Sequence, residues 1–331
     1  MIPIGDVYRF KAEVEEELTP SFHSAIMSTL GKPYPTSFGD ADHVFSITCF
    51  TEPLKRFIED VIKSLNFGTA PFPLVRGFGF GKTHSLIVLW HIFTSNAITD
   101  DHLRRLLSEN EILKQTFVLA CDVSERAPPL ETFAETLFAS TKGMEKDYDL
   151  LRVLSDLEEK YDKNELLSPT RFADFLTEFV KESKRKFQKT PKFLVLIDEL
   201  GYGTIKRIDE YADSKFTKEE LIEDIRRLIS FVTTIAEELK RLGSSVAIVY
   251  AFAEQDLNSL DARIKLHYSN ENARAKLEGL KELIRTDLIE RLKRYSGGIE
   301  RAPLQLNPLQ NIEIAKFRVL KAIGDESRAR D

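Results

Sequence analysis

Cysteine, tryptophan and long apolar runs are all scarce in this chain of 331 residues. The two cysteines, Cys49 and Cys121, sit in apolar surroundings without metal-ligand spacing. That excludes a disulfide framework and a cysteine-rich zinc site, and reads as reduced core thiols in a cytosolic protein. Val246 to Ala253, among the longest apolar runs, is far too short to span a bilayer, and Met1 to Leu18 lacks the apolar stretch of a signal peptide. A soluble, cytoplasmic protein with no membrane partner is expected. Positive charge is in deficit too: 47 Lys and Arg against 53 Asp and Glu give a formal net charge of -6. This argues against coating nucleic acid by bulk charge and leaves a local basic patch open. Internal repeats and low-complexity tracts are absent. A composition 42% hydrophobic and 30% charged excludes a disordered chain and suffices for one large α/β domain or two modest ones.

What is present centres on Phe72 to Phe93. The short apolar run Phe72 to Val75 leads into a glycine-rich turn, which passes through Gly81, Lys82 and Thr83 into an apolar segment of helical length. That is the layout of a phosphate-binding loop. Gly77, Gly79 and Gly81, with Phe78 and Phe80 between them, allow unusual backbone angles and let N–H groups converge on anionic oxygens, and the helix that follows adds its positive end. Lys82 is expected to reach the β- and γ-phosphates of ATP, and the Thr83 hydroxyl to ligate Mg2+. The strict pattern G-x-x-x-x-G-K-[ST] requires glycine at position 76, where this chain has Arg76, so either Gly77 starts the turn or Arg76 points away. The plain alternative is a glycine-rich turn before a core helix, with Lys82 solvated.

A second stretch strengthens the first. Phe193 to Ile197 is five apolar residues followed by Asp198 and Glu199, which predicts a strand buried on both faces in a parallel sheet, with two carboxylates where it emerges. Ligand chemistry in open α/β sheets gathers at the carboxyl ends of strands. Asp198 suits a Mg2+ ligand and Glu199 a base polarising the attacking water; the plain alternative is two solvated acids ending a core strand.

Between and around these stretches, the pattern predicts a helix near Tyr8 to Leu18, a short strand at Val44 to Phe50, and a helix with Leu54, Phe57, Ile58, Val61, Ile62 and Leu65 on one face. Strands follow at Thr116 to Cys121 and Ser245 to Phe252. Helices are expected at Leu130 to Ser140, Lys146 to Tyr161 and Arg171 to Lys186, with Ser168 and Pro169 opening the last. Gly201 to Phe216 reads as a polar loop placed to move with nucleotide state. Thr217 and Glu220 form a capping box for a helix striped by Leu221, Ile225, Leu228, Val232, Ile235 and Leu239, which Gly243 ends. Further helices are expected at Asn270 to Tyr295 and Gln310 to Ile323. Strands separated by helices specify a three-layer α/β domain with a mostly parallel sheet. The expected division is an N-terminal helical extension over 1–66, a nucleotide-binding core over 67–300, and the start of a lid or linker over 301–331.

Three motif segments, Phe45 to Thr51, Gly77 to His84 and Leu194 to Leu200, resemble the large prokaryotic ATPases catalogued as domain of unknown function 499. Members of that family carry an aromatic-Thr segment, a Gly-aromatic-Gly-x-Gly-Lys-Thr-His loop and an apolar strand ending Asp-Glu-Leu. The resemblance spans most of residues 38 to 200 and fades beyond Ser245, and in the family the displaced first glycine is ordinary. It implies a P-loop ATPase of the AAA+ kind, with the additional-strand, catalytic-Glu core. It also implies a nucleic-acid context beside DNA-modification partner proteins, and a chain that is either a compact relative or the N-terminal portion of a longer protein.

A site of that kind takes a polar sensor at the end of the strand beside the loop strand, which here is Gln255, without the usual Asn, Ser or Thr. An arginine supplied by a neighbouring subunit of a homo-oligomer would stabilise charge on the γ-phosphate. Arg285, Arg291 and Arg294 lie in the right part of the chain, and Arg291 is the chosen candidate, against the plain reading of solvated helix charges. His84 reads as a packing or hydrogen-bonding residue beside the loop. The basic run Lys181, Lys184, Arg185, Lys186, Lys189 and Lys192 could meet the phosphates of DNA or RNA, or could simply complement a helix C-terminus. The leading expectation is an oligomeric ATPase using MgATP. Its rival is a nucleotide-gated binding module with little or no turnover, and a small-molecule kinase is a weaker third.

Overall fold

Four apolar segments form the centre of the molecule as strands, and the computed structural model describes residues 8–10, 21–75, 81–95, 111–125, 127–141, 145–161, 164–213, 219–252 and 320–322, with isolated positions from 279 to 317. The strands are β2 (Ala70–Val75), β3 (Thr116–Asp122), β4 (Lys192–Asp198) and β5 (Val246–Phe252). They lie in the order β2-β5-β4-β3, and all three pairings are parallel. Separately, β1 (Tyr8–Phe10) pairs antiparallel with β6 (Leu320–Ala322), joining distant parts of the chain.

The pleat sorts each strand's residues onto two faces. Phe117, Leu119, Phe193, Val195, Ile248 and Tyr250 enter one apolar cluster, whereas Val118, Ala120, Leu194, Leu196, Ala247 and Val249 enter another. Both sets are apolar, so the strands read in sequence as unbroken runs, as expected of a parallel sheet covered on both sides.

One face is covered by α1 (Phe22–Thr29), α2 (Ala41–Ile47), α3 (Glu52–Phe67), α4 (Lys82–Thr94) and the short α5 (Ile112–Gln115). The other is covered by α6 (Pro129–Ala139), α7 (Tyr148–Lys160), α8 (Pro169–Phe187), α9 (Leu200–Asp213) and α10 (Glu219–Arg241). This is the three-layer arrangement expected. In α3 all six residues of the expected stripe are buried, Pro53 stands in the first turn, and Gly68 follows the helix at φ 132°. In α10, Ile225, Leu228, Val232, Ile235 and Leu239 are buried, and Gly243 ends the helix at φ 72°.

α4 is the central helix: every residue from Ser85 to Thr94 is buried. One side packs on the sheet, and polar bonds fasten it to the N-terminal helices. His84 Nε2 lies 2.9 Å from Thr48 Oγ1. Because the Thr48 hydroxyl gives its own proton to the Val44 carbonyl at 2.6 Å, His84 Nε2–H is the donor. Two turns on, His91 Nε2–H donates to the Phe38 carbonyl at 2.8 Å, and Trp90 Nε1–H donates to Thr29 Oγ1 at 3.3 Å. Burial holds the His91 pKa below its usual value, opposed by the Phe38 carbonyl and Asp40.

Among the described residues, each outer strand of the sheet has part of its outward row of donors removed or occupied. On β2 the donors facing β5 must come from residues 70, 72 and 74, since Pro71 and Pro73 have no N–H. The outward row therefore lacks two of its donors. On β3, the outward N–H of Ala120 is taken by Thr136 Oγ1 at 2.9 Å and that of Val118 by Ser140 Oγ at 3.4 Å, both from α6.

Several expectations are corrected. Val44 to Phe50 is not a strand; Ala41–Ile47 is helical, because Asp40 caps it by accepting from the Asp42 N–H and because Val44 and Phe45 are buried in the same apolar cluster as α4. Tyr8–Phe10 is a strand rather than the start of a helix, and Leu320–Ala322 is a strand where a helix to Ile323 was expected. The loop expected over Gly201 to Phe216 is helical as far as Asp213, since α9 starts directly at Leu200 and buries Leu200, Thr204 and Ile205. Thr217 and the expected helix at Asn270 to Tyr295 lie outside the described residues, apart from isolated positions. No helix among the described residues is long and apolar enough to cross a membrane.

Lys146, ahead of α7, carries a role that its sequence did not announce. Its side chain is buried and donates to the carbonyls of Phe93 at 2.9 Å, Leu113 at 3.0 Å and Thr116 at 2.6 Å. It joins the last turn of α4, the end of α5 and the start of β3, and burial pushes its pKa down to about 7.

Candidate functional site

The parallel sheet brings the carboxyl ends of β2, β3, β4 and β5 to one edge, which is where the two motif stretches meet. Gly81 precedes α4 at φ 72° and ψ 19°, a left-handed conformation that favours glycine, and its carbonyl accepts from the Ser85 N–H and hydroxyl at 2.9 and 2.8 Å. Added volume at Gly81 would meet nothing within 4 Å, so its backbone angle rather than crowding selects the residue. Lys82, Thr83 and His84 follow as the first turn of α4, whose first N–H groups have no partner within the helix. Gly77, Phe78, Gly79 and Phe80 lie outside the described residues, as do Gln255, Arg285, Arg291 and Arg294.

Asp198 is the last residue of β4 and is 1% exposed. It stands in register with Asp122, the last residue of β3. Its Oδ1 accepts from the Glu199 N–H at 2.9 Å, whereas its Oδ2 has no hydrogen-bond partner among the described residues. The Asp198 pKa is pushed up to about 8, first by burial and then by the charges of Asp122 and Glu199. Hydrogen bonds from the Thr83 side chain and the Glu199 backbone oppose that rise. The Thr83 side chain, from the first turn of α4, is thus among the groups that act on Asp198.

Such an orphaned, buried carboxyl oxygen beside a threonine hydroxyl fits a hard divalent cation, which takes oxygen ligands and would return Asp198 to its ionised form. The fit is one of donor chemistry.

Glu199 adopts φ 51°, one of two non-glycine residues with positive φ among those described. A side-chain-bearing residue there costs about 1–3 kcal/mol and persists only where its surroundings fix it. Its carbonyl accepts from the Gly203 N–H at 2.7 Å as α9 begins.

Asp122 accepts at Oδ1 from the Ser124 N–H at 2.9 Å and from the Ser124 hydroxyl at 2.6 Å. The sequence ends β3 with Asp122 much as it ends β4 with Asp198, and that parallel was the available signal for the pair.

Lys184, Arg185, Lys186, Lys189 and Lys192 of the basic run after Val180 are engaged within the chain. Lys184 donates to the Leu242 carbonyl, Arg185 forks onto Glu182, and Lys186 meets Asp156 at 3.0 Å. Lys189 meets Asp147 and Asp149 at 2.7 and 2.6 Å, and Lys192 donates to the Leu65 carbonyl at 2.8 Å. These pairings match the plain reading of cations near a helix C-terminus.

The fold and the site together define an α/β protein with a four-stranded, all-parallel sheet whose candidate groups gather at the carboxyl edge, an architecture consistent with a Rossmann-like or a P-loop core. Residues 6–127 match the family model described as the DUF499 N-terminal domain. That span, well under half of the chain, includes the aromatic-Thr segment and the Gly77 to His84 loop and ends before Asp198. No curated protein and no solved structure matches the chain.

Proposed function

We propose that this protein binds MgATP between the Gly77 to Thr83 loop and Asp198 and hydrolyses it, as an ATPase of the P-loop, AAA+-like kind. The observation that carries the reading is the Asp198 carboxyl at the edge where β2 leads to Lys82 and Thr83, its second oxygen buried and unpartnered among the described residues. The order β2-β5-β4-β3 supports it, because one strand is inserted between the loop strand and the Asp198 strand, as the additional-strand core requires. The left-handed Gly81 ahead of a buried helix supports it as well.

In this reading Lys82 and the first N–H groups of α4 hold the β- and γ-phosphates, while the Thr83 hydroxyl and Asp198 carboxylate hold the cation. Mg2+ held there would supply positive charge against that developing on the phosphates. Glu199 orients the attacking water and accepts its proton. Gln255 is assigned as sensor and Arg291 as the residue given in trans within a homo-oligomer. The output is remodelling in a nucleic-acid-related complex, transmitted through α9 rather than through a loop. A nucleotide-gated module with little turnover is the second reading, favoured by the end of β5 at Tyr250, Ala251 and Phe252, which carries no Asn, Ser or Thr.

The test is phosphate release from MgATP by wild type, Lys82→Ala and Glu199→Gln, with and without duplex and single-stranded DNA. Loss of nucleotide binding in the first variant and retained binding without turnover in the second are expected. Wild-type ATP affinity in Lys82→Ala would refute the loop assignment, and tight binding with no turnover in wild type would select the module.

A further inference from the structure

Gly203 lies in the first turn of α9, is buried, and donates its N–H to the Glu199 carbonyl. A Cβ at this position would stand 2.5 Å from the Val123 carbonyl carbon, 2.6 Å from the Ser124 nitrogen and 2.7 Å from the Val123 oxygen. All three are backbone atoms, so no rotamer change relieves the contact and one segment must move. Hydrogen bonds lock the same two segments together. The Val123 N–H donates to the Asp198 carbonyl at 3.1 Å, and Lys206 Nζ, one turn further along α9, donates to the Ser124 carbonyl at 2.8 Å. Ser124 is itself fixed by its two bonds to Asp122. Glu199 stands between β4, which anchors its N–H through Asp198 Oδ1, and this seat, which anchors its carbonyl through Gly203. Its left-handed backbone is thus held from both sides.

We propose that Gly203 and Lys206 are positioning residues: by seating the start of α9 on the Val123–Ser124 peptide they fix where Glu199 stands. The proposal rests on the reading that Glu199 activates water. A side chain at 203 shifts the start of α9 and Glu199 with it, while Lys82 and Thr83, on α4, stay in place. Turnover is then lost without loss of nucleotide affinity.

The experiment measures kcat for phosphate release and the Kd for MgATP on the full chain, for wild type, Glu199→Gln, Gly203→Ala and Lys206→Met. Gly203→Ala is expected to lower kcat by between about tenfold and about a hundredfold, the scale of a misplaced catalytic group, with Kd within about twofold of wild type. Lys206→Met, which adds no bulk at the seat, is expected to lower kcat by about threefold to tenfold with Kd unchanged. If Gly203→Ala does not fold, Lys206→Met decides alone. Wild-type kcat in the folded variants, or equal losses in kcat and affinity, would overturn the seat while Glu199-dependent turnover left the function standing. Absence of turnover in wild type, or wild-type turnover in Glu199→Gln, would overturn the function and the seat with it.

Discussion

Replacing Asp198 by asparagine tests the electrostatics of the site without any nucleotide. The carboxyl is 1% exposed, and its pKa rises from 3.8 to about 8 on folding. A group whose folded pKa is raised contributes fully below its unfolded pKa, and the contribution is lost as pH climbs through the folded value. Between about pH 4 and pH 8 the unfolded chain has released a proton that the native state still holds, so stability falls with rising pH. Burial of the carboxyl, with the neighbouring charges of Asp122 and Glu199, gives that decline its sign. The amide of Asp198→Asn keeps the shape and the acceptor for the Glu199 N–H but cannot ionise. The assay is urea unfolding in EDTA at about pH 5, 6, 7 and 8, followed by fluorescence of the single tryptophan, Trp90, which is buried in α4. Wild type should lose stability steadily across the series while Asp198→Asn loses much less, so that the variant is the more stable protein at the alkaline end. Adding Mg2+ there should restore wild type and leave the variant unmoved. Parallel pH profiles for the two proteins would refute the account of a buried, protonated Asp198.

Two further outcomes are expected. Lys146→Met strips the donor from three buried carbonyls and should cost about 3 kcal/mol by urea unfolding, after relief of the desolvated charge offsets part of the loss; a variant as stable as wild type would show that those carbonyls find other donors. Thr48→Val removes the acceptor that orients His84 next to Thr83 and should lower stability by about 1 kcal/mol. It should also weaken MgATP binding several-fold, which a nucleotide titration against wild type would check.

Sequence pattern carried the fold a long way where burial alone sets structure. β3, β4 and β5 were legible because apolar runs bounded by polar residues leave few alternatives, and α3 and α10 because their stripes repeat at helical spacing. Val44 to Phe50 misled because β-branched and aromatic residues favour strands locally, whereas the Asp40 cap and packing under α4 decided the outcome. The two glycines after Asp-Glu-Leu suggested a mobile loop. In the structure Gly203 serves close approach between backbones, a role visible only once β3 and α9 are side by side. For the site, Lys82, Thr83, Asp198 and Glu199 could be chosen from the chain because phosphate and metal chemistry restrict residue type and spacing. The elevated Asp198 pKa, the left-handed Glu199 and the Thr48 bond to His84 arise from contacts between segments far apart in sequence, which spacing does not encode. That last contact joins two of the segments that carried the family resemblance, through Thr48 and His84.

The edges of the sheet bear on how this chain tolerates crowding. A parallel sheet forms slowly from distant segments, and a half-formed one offers its outer strands to any extended peptide nearby. Pro71 and Pro73 withhold donors on one outer strand, while Thr136 and Ser140 occupy those of the other. Among the described residues, an extended peptide therefore meets an incomplete row of donors on either outer strand. Since β2 is also the strand that leads to Gly81, the same prolines keep foreign strands away from the segment on which the carboxyl-edge chemistry depends.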